Sequence, residues 1–171
     1  MIRVILGLGS NRGYGANSPE DNLRGACFRL SELLRDVVMS SVYRTKAMYF
    51  TEQDDFLNMV LAGYADDSSD PFLFLDRIHG IEAEFGRDRK TEFRNGPRPL
   101  DIDIELFGGR EISSPSLQIP HPRIHERAFV LVPMLEILKN PADVNLRQKY
   151  QEYLDSLDAS CVIKEASAFS A

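Results

Sequence analysis

The stretch Leu100-Asp101-Ile102-Asp103-Ile104-Glu105-Leu106-Phe107 alternates apolar and acidic residues with period two, the pattern of a β-strand with one buried face. Its acids share the opposite face. Immediately upstream, residues 87–98 hold five cations (Arg87, Arg89, Lys90, Arg94 and Arg98) against two acids, a local charge of +3 within a chain of net charge −6. An acidic strand face therefore follows the one concentrated basic stretch, and the rest of the chain has to fold around that juxtaposition.

With 171 residues, 43% hydrophobic and 27% charged, the chain has the composition of a globular protein with a genuine core, which excludes collagen-like and wholly disordered readings. We expect a single domain over 1–160 and a frayed tail over 161–171. No window approaches the roughly 18 consecutive apolar residues of a membrane helix, and Met1-Ile2-Arg3 leads into a short apolar run without signal-peptide architecture. A cytoplasmic protein without a membrane partner is expected. Cys27 and Cys161 lie far apart without metal-ligand spacing, so both are expected to be reduced thiols. A pI near 5.1 argues against a general affinity for nucleic acid.

Residues 2–8 are short, β-branched and apolar, and Gly9-Ser10-Asn11-Arg12-Gly13 supplies an exit loop. Ser18-Pro19-Glu20-Asp21 has the makings of a helix start, with Leu23, Ala26, Cys27, Leu30, Leu33 and Leu34 at helical spacing behind it. Val37–Tyr43 and Phe56–Tyr64 are strand-type runs joined by a dozen irregular residues. Asp70-Pro71 opens a second helix that ends at Gly86. After the acidic strand and a Gly108-Gly109 turn come Ile119-Pro120-His121-Pro122, an apolar helix near 126–138 and a weakly amphipathic piece near 146–157. The order is βαββαβ plus additional helix, which predicts an α+β, ferredoxin-like fold: an antiparallel sheet with helices packed on it and an extra C-terminal helix.

Asp101 and Asp103 point to the same side of their strand, roughly 7 Å apart at the Cα atoms. Hard divalent cations take one or two carboxylates together with phosphate oxygens and water, so this pair beside a cationic loop suits magnesium and a polyphosphate. An acidic solvated sheet face is the bland alternative, and Glu105, continuing that face, could be a third ligand but is read as solvated. The Gly7-Leu8-Gly9-Ser10-Asn11-Arg12 string fails as a dinucleotide fingerprint, because Arg12 stands where the third glycine belongs and the helix starts only at Ser18. No Walker-type phosphate loop is present. His121 and His125 lack the further ligands of a zinc site, and His121 is either a phosphate-oxygen donor or a structural loop residue. Phe56 and Asn58 share a strand face, which pairs a ring with an amide edge as a planar heterocycle requires.

Gly9-Ser10-Asn11, Ser41-Val42-Tyr43-Arg44-Thr45, Phe56-Leu57-Asn58, Ile81-Glu82 with Gly86-Arg87, Gly96-Pro97-Arg98-Pro99-Leu100-Asp101-Ile102-Asp103-Ile104, and Ile119-Pro120-His121-Pro122 with Arg127 and Phe129 occur in one collinear series. In order and approximate spacing this series resembles the folate-pathway 6-hydroxymethyl-7,8-dihydropterin pyrophosphokinases over nearly residues 2–140. The resemblance implies transfer of pyrophosphate from ATP to the hydroxymethyl group of the reduced pterin, with release of AMP. It implies two Mg²⁺ ions on Asp101 and Asp103, and Arg87 and Arg98 on the triphosphate and the charge developing at the transferred phosphorus. Arg89, Lys90, His121 and Arg127 match further triphosphate contacts, and Glu82 and Ile104 match the nucleotide side. Phe56 and Phe129 would sandwich the pterin, with Asn58 and the backbone near Thr45 reading its polar edge. The partners implied are these two small molecules, acted on by a monomer. The rivals are an RNA-recognition domain, which the acidic pI and the lack of a basic and aromatic strand disfavour, and a ligand sensor without turnover.

Overall fold

The computed structural model describes residues 1–47, 52–89, 91 and 96–165. Along the chain run β1 (Ile2–Ser10), α1 (Pro19–Ser31), β2 (Arg35–Met39), β3 (Tyr43–Thr45), β4 (Phe56–Ala65), α2 (Pro71–Glu84), β5 (Asp101–Phe107), β6 (Ile112–Ser113), β7 (Gln118–Ile119), α3 (Ala128–Ile137), α4 (Val144–Asp155) and β8 (Ile163–Lys164). Helix starts follow local chemistry. Ser18 and Asp21 form a reciprocal capping box at α1, and the Asp70 carboxylate accepts from the N–H groups of Phe72 and Leu73 at α2. Gly86, at φ +82°, ends α2 in the left-handed region as its sequence position predicts.

Every pairing in the main sheet is antiparallel, in the order β5-β1-β4-β3-β8 with β2 also on β4, so the long β1 and β4 lie at its centre. The ferredoxin-like βαββαβ order stands at its heart. One face packs Val4, Leu6, Met59, Leu61, Ile102 and Ile104 against α1 and α2. The opposite face carries a second core, in which Ile5, Val60, Ala62 and Leu106 meet Val130, Leu131 and Met134 of α3 and Tyr150 of α4. Helix α3 is apolar around most of its circumference because it is wedged between the sheet and α4.

Three expectations need correction. The strand predicted over Val37–Tyr43 is broken in two, because the Ser40 hydroxyl accepts the Val60 N–H at 2.9 Å while Ser41 turns its N–H and hydroxyl toward Glu136 on α3, each at 2.8 Å. The alternation in β5 is interrupted: Leu6 pairs with Ile104 but Ile5 pairs with Leu106, which leaves Glu105 as a bulged extra residue. Leu106 consequently joins the α3 core and Phe107 the α1 and α2 core, and Glu105 is fully buried instead of solvated. Finally, within the tail expected to fray, Ile163 and Lys164 pair with Arg44 and Tyr43, and Glu165 bonds Arg44 at 2.5 Å. Residues 166–171 lie outside the described residues.

Candidate active site

The second sheet face is only partly covered. Helix α3 begins at Ala128, so the end of the sheet bearing Asp101, Asp103, Gly9 and Asn58 stays open beneath Arg127 and Phe129. That opening is a cavity lined by Thr45, Phe56, Asn58, Arg98, Asp101, Asp103, Arg127 and Phe129, which brings together side chains from β3, β4, β5 and the start of α3. The Asn58 amide nitrogen donates to the Thr45 hydroxyl at 2.8 Å, and the Arg127 guanidinium lies 5.7 Å from the centre of the Phe129 ring.

The two aspartates are clasped by arginines. Asp101 receives Arg98 Nη1 at 2.6 Å and Arg87 Nη2 at 3.4 Å, while Asp103 receives Arg127 Nη1 at 2.9 Å. Their side chains keep 24% and 37% exposure, so both carboxylates are open to an incoming ion. Arg98 is held from behind: its N–H donates to Asn11 Oδ1 at 2.8 Å and its carbonyl accepts the Asn11 N–H at 3.1 Å. Ser10 and Asn22 both donate to the carbonyl of the next residue, Pro99, at 2.6 and 3.0 Å. The Gly-Ser-Asn string thus anchors the segment that delivers the basic and acidic residues.

A second groove on the far side of Asp103 is lined by Leu75, His79, Arg89, Ile104, the 114–117 turn and His121. Asp103 borders both hollows. His121 Nε2 stands 3.9 Å from Asp103 Oδ2, and its Nδ1 accepts the Arg123 N–H at 3.2 Å, which points the protonated nitrogen at the carboxylate. Burial and the nearby arginines lower its pKa despite Asp103. Glu82 lines neither hollow. It is completely buried, accepting the Ile102 N–H at 2.9 Å and the Arg89 guanidinium at 2.5 and 3.0 Å, so it ties α2 to β5 and aims Arg89. Desolvation raises its pKa against the pull of Arg89. Arg87 lines neither hollow and reaches Asp101 and the Leu100 carbonyl from below. Lys90 and Arg94 fall outside the described residues.

Residues missed from sequence include Gly7, Gln53, Met59 and Val130 in the first hollow, and Leu75 with the 114–117 turn in the second. They reach the site through sheet pairing and loop return, for which no local pattern exists.

Fold and site together define an α+β protein in which a ring-lined pocket holding two carboxylates meets a basic groove at one of them, Asp103. The sequence model of the 7,8-dihydro-6-hydroxymethylpterin-pyrophosphokinase (HPPK) family matches residues 5–139, and the chain belongs to this family. It is 41% identical over 162 residues to the 2-amino-4-hydroxy-6-hydroxymethyldihydropteridine pyrophosphokinase of Methylorubrum extorquens, covering 94% of this chain and 96% of that one. To the Aquifex aeolicus protein of the same description it is 38% identical over 153 residues, covering 90% and 91%. It is also 37% identical over 140 residues to an Arabidopsis thaliana folate synthesis bifunctional protein, covering 79% of this chain but 27% of that relative. A crystal structure of HPPK-DHPS in complex with substrates shares the fold at a TM-score of 0.59 and 14% identity, over 91% of this chain and 44% of that one. Among the described residues no helix is long and apolar enough to cross a membrane.

Proposed function

We propose that this chain, acting as a monomer, transfers the terminal pyrophosphoryl group of ATP to the hydroxymethyl oxygen of 6-hydroxymethyl-7,8-dihydropterin, the step of folate biosynthesis that its family carries out. In this reaction the hydroxymethyl oxygen bonds to the β-phosphorus, the bond from that phosphorus to the α,β-bridging oxygen breaks, AMP leaves with that oxygen, and the hydroxyl proton is released. Such chemistry asks the protein mainly for alignment and electrostatic stabilisation. The observation that carries the reading is Asp103, shared between the ring-lined hollow and the basic groove, because an acceptor in one and a triphosphate in the other would meet there.

Asp101 and Asp103 fit magnesium, two ions by the resemblance: they are oxygen donors on a rigid strand, partly exposed, and no third His, Cys, Asp or Glu among the described residues closes a metal cage with them. Bound there, magnesium would neutralise phosphate oxygens. Arg98 and Arg127, which line the hollow and bond Asp101 and Asp103, are placed to meet phosphate oxygens, while Arg87, matched to the triphosphate by the resemblance, holds Asp101 from below. Arg89 and His121 border the triphosphate's path, and Ile104 supports the nucleotide. Lys90 is assigned to the same path by the resemblance. Glu82 contributes by holding Arg89 and β5 in register. Phe56 and Phe129 sandwich the pterin while Asn58, fixed by Thr45, reads its edge.

The test is the nucleotide product. Purified protein should convert ATP to AMP only when the hydroxymethyl pterin and Mg²⁺ are both present; ADP as product would reject pyrophosphoryl transfer.

A further inference from the structure

One polar group at the site has no task in the reading above. Glu105 is completely buried, borders the ring-lined hollow, and has no hydrogen-bond partner for either carboxyl oxygen among the described residues. His121 Nδ1, 4.0 Å from Oε2, already accepts the Arg123 N–H and has no proton to offer. An orphaned buried acceptor costs a fold on the order of 1–3 kcal/mol. Because Glu105 borders the hollow, a donor bound there is placed to satisfy it.

The floor of that hollow explains how Glu105 fits. Gly7 and Gly9 are two apart on β1 and face the same side, roughly 7 Å from each other. A Cβ on Gly7 would lie 2.8 Å from Glu105 Oε1, and one on Gly9 would lie 3.3 Å from Asn58 Oδ1. The missing side chains leave two recesses, filled by an oxygen from β5 on one flank and an oxygen from β4 on the other. The bulge in β5 turns Glu105 toward its recess. A flat ring held between Phe56 and Phe129 would have an acceptor oxygen on either flank, from Glu105 and from Asn58.

We propose that Glu105 is a specificity-determining residue of the pterin pocket: opposite Asn58, its carboxyl accepts a hydrogen bond from a ring N–H or the amino group of the bound heterocycle. This rests on the pterin pyrophosphokinase reading. Charged or neutral, a carboxyl keeps an oxygen that accepts, so the contact does not depend on ionisation.

The experiment compares the wild-type chain with Glu105→Leu, Glu105→Met and Glu105→Gln. Two dissociation constants are measured for each: that of 6-hydroxymethyl-7,8-dihydropterin with α,β-methylene-ATP and Mg²⁺ present, and that of the ATP mimic alone. Thermal midpoints are recorded in parallel. For Leu and Met, pterin binding should weaken about tenfold or more, the worth of about 1.4 kcal/mol. Binding of the mimic should stay within about threefold, and the thermal midpoint should hold or rise, because a buried orphan acceptor has gone. Glu105→Gln, which retains an acceptor oxygen, should lose less. The methionine, unbranched like glutamate, covers a packing failure of the leucine. Pterin binding within about twofold of wild type in the folded Leu or Met variant overturns the proposal, as does equal weakening of both ligands. Wild-type AMP formation, assayed first, separates the two failures: without it the function itself is wrong, and with it only the role of Glu105 is at stake.

Discussion

Asn11 and Arg98 are joined by a reciprocal pair of hydrogen bonds, the Arg98 N–H to Asn11 Oδ1 at 2.8 Å and the Asn11 N–H to the Arg98 carbonyl at 3.1 Å. The same Asn11 amide donates to Gln53 Oε1 and the Asp54 carbonyl at 3.0 and 3.1 Å. One side chain thereby links the exit of β1, the approach to β4 and the backbone that carries Arg98 to Asp101. We expect Asn11→Ala to destabilise the fold by about 1–3 kcal/mol, since a buried donor is left unpaired. It should also lower kcat/KM through a displaced Arg98. Urea unfolding and steady-state kinetics check both, and an unchanged midpoint would show that these bonds contribute nothing.

The aspartates offer a separate test. Asp101→Asn and Asp103→Asn should each reduce turnover by about 10²-fold or more, because positioned charge is the largest contribution such a site makes. Folding should persist, since both side chains are partly exposed. The residual activity should need more Mg²⁺. Near-normal turnover in both variants would remove the pair from the reaction.

Glu82 should act through stability and ATP affinity. Removing its carboxylate in Glu82→Ala strands the buried Ile102 N–H and frees Arg89, at a cost of about 1–3 kcal/mol. Glu82→Gln, which still accepts from Ile102, should recover most of the stability and less of the ATP affinity. Calorimetric titration of an ATP mimic with both variants discriminates, and parallel losses in the two would contradict this division.

Glu136 predicts a pH dependence away from the active site. Burial opposes its ionisation, yet the Lys164 ammonium and the Ser41 hydroxyl and N–H hold its pKa down at about 2. A pKa depressed from 4.5 stabilises the fold fully above that value, and the contribution fades as pH falls from 4.5 through about 2. Glu136→Gln should therefore be less stable than wild type at pH 7, with the gap closing below pH 4. A gap that stays constant down to pH 2 would contradict the shift.

Much of this protein was legible locally. Period-two and helical spacing, the Ser18 and Asp70 caps and Gly86 marked the elements, because those signals are governed by bonds within a few residues. The paired aspartates and the basic stretch announced phosphate chemistry, and the collinear motifs carried the family. Pairing across the sheet decided the rest. The bulge that buries Glu105 exists only because Ile5 meets Leu106, and β2 and β3 part only because Ser41 finds Glu136 on a helix 95 residues away. That Arg127 clasps Asp103 is likewise set by the segment that leads into α3 returning over the end of the sheet, beyond any pattern in the sequence. Such contacts depend on register and layer order, which arise from the packing of the whole chain.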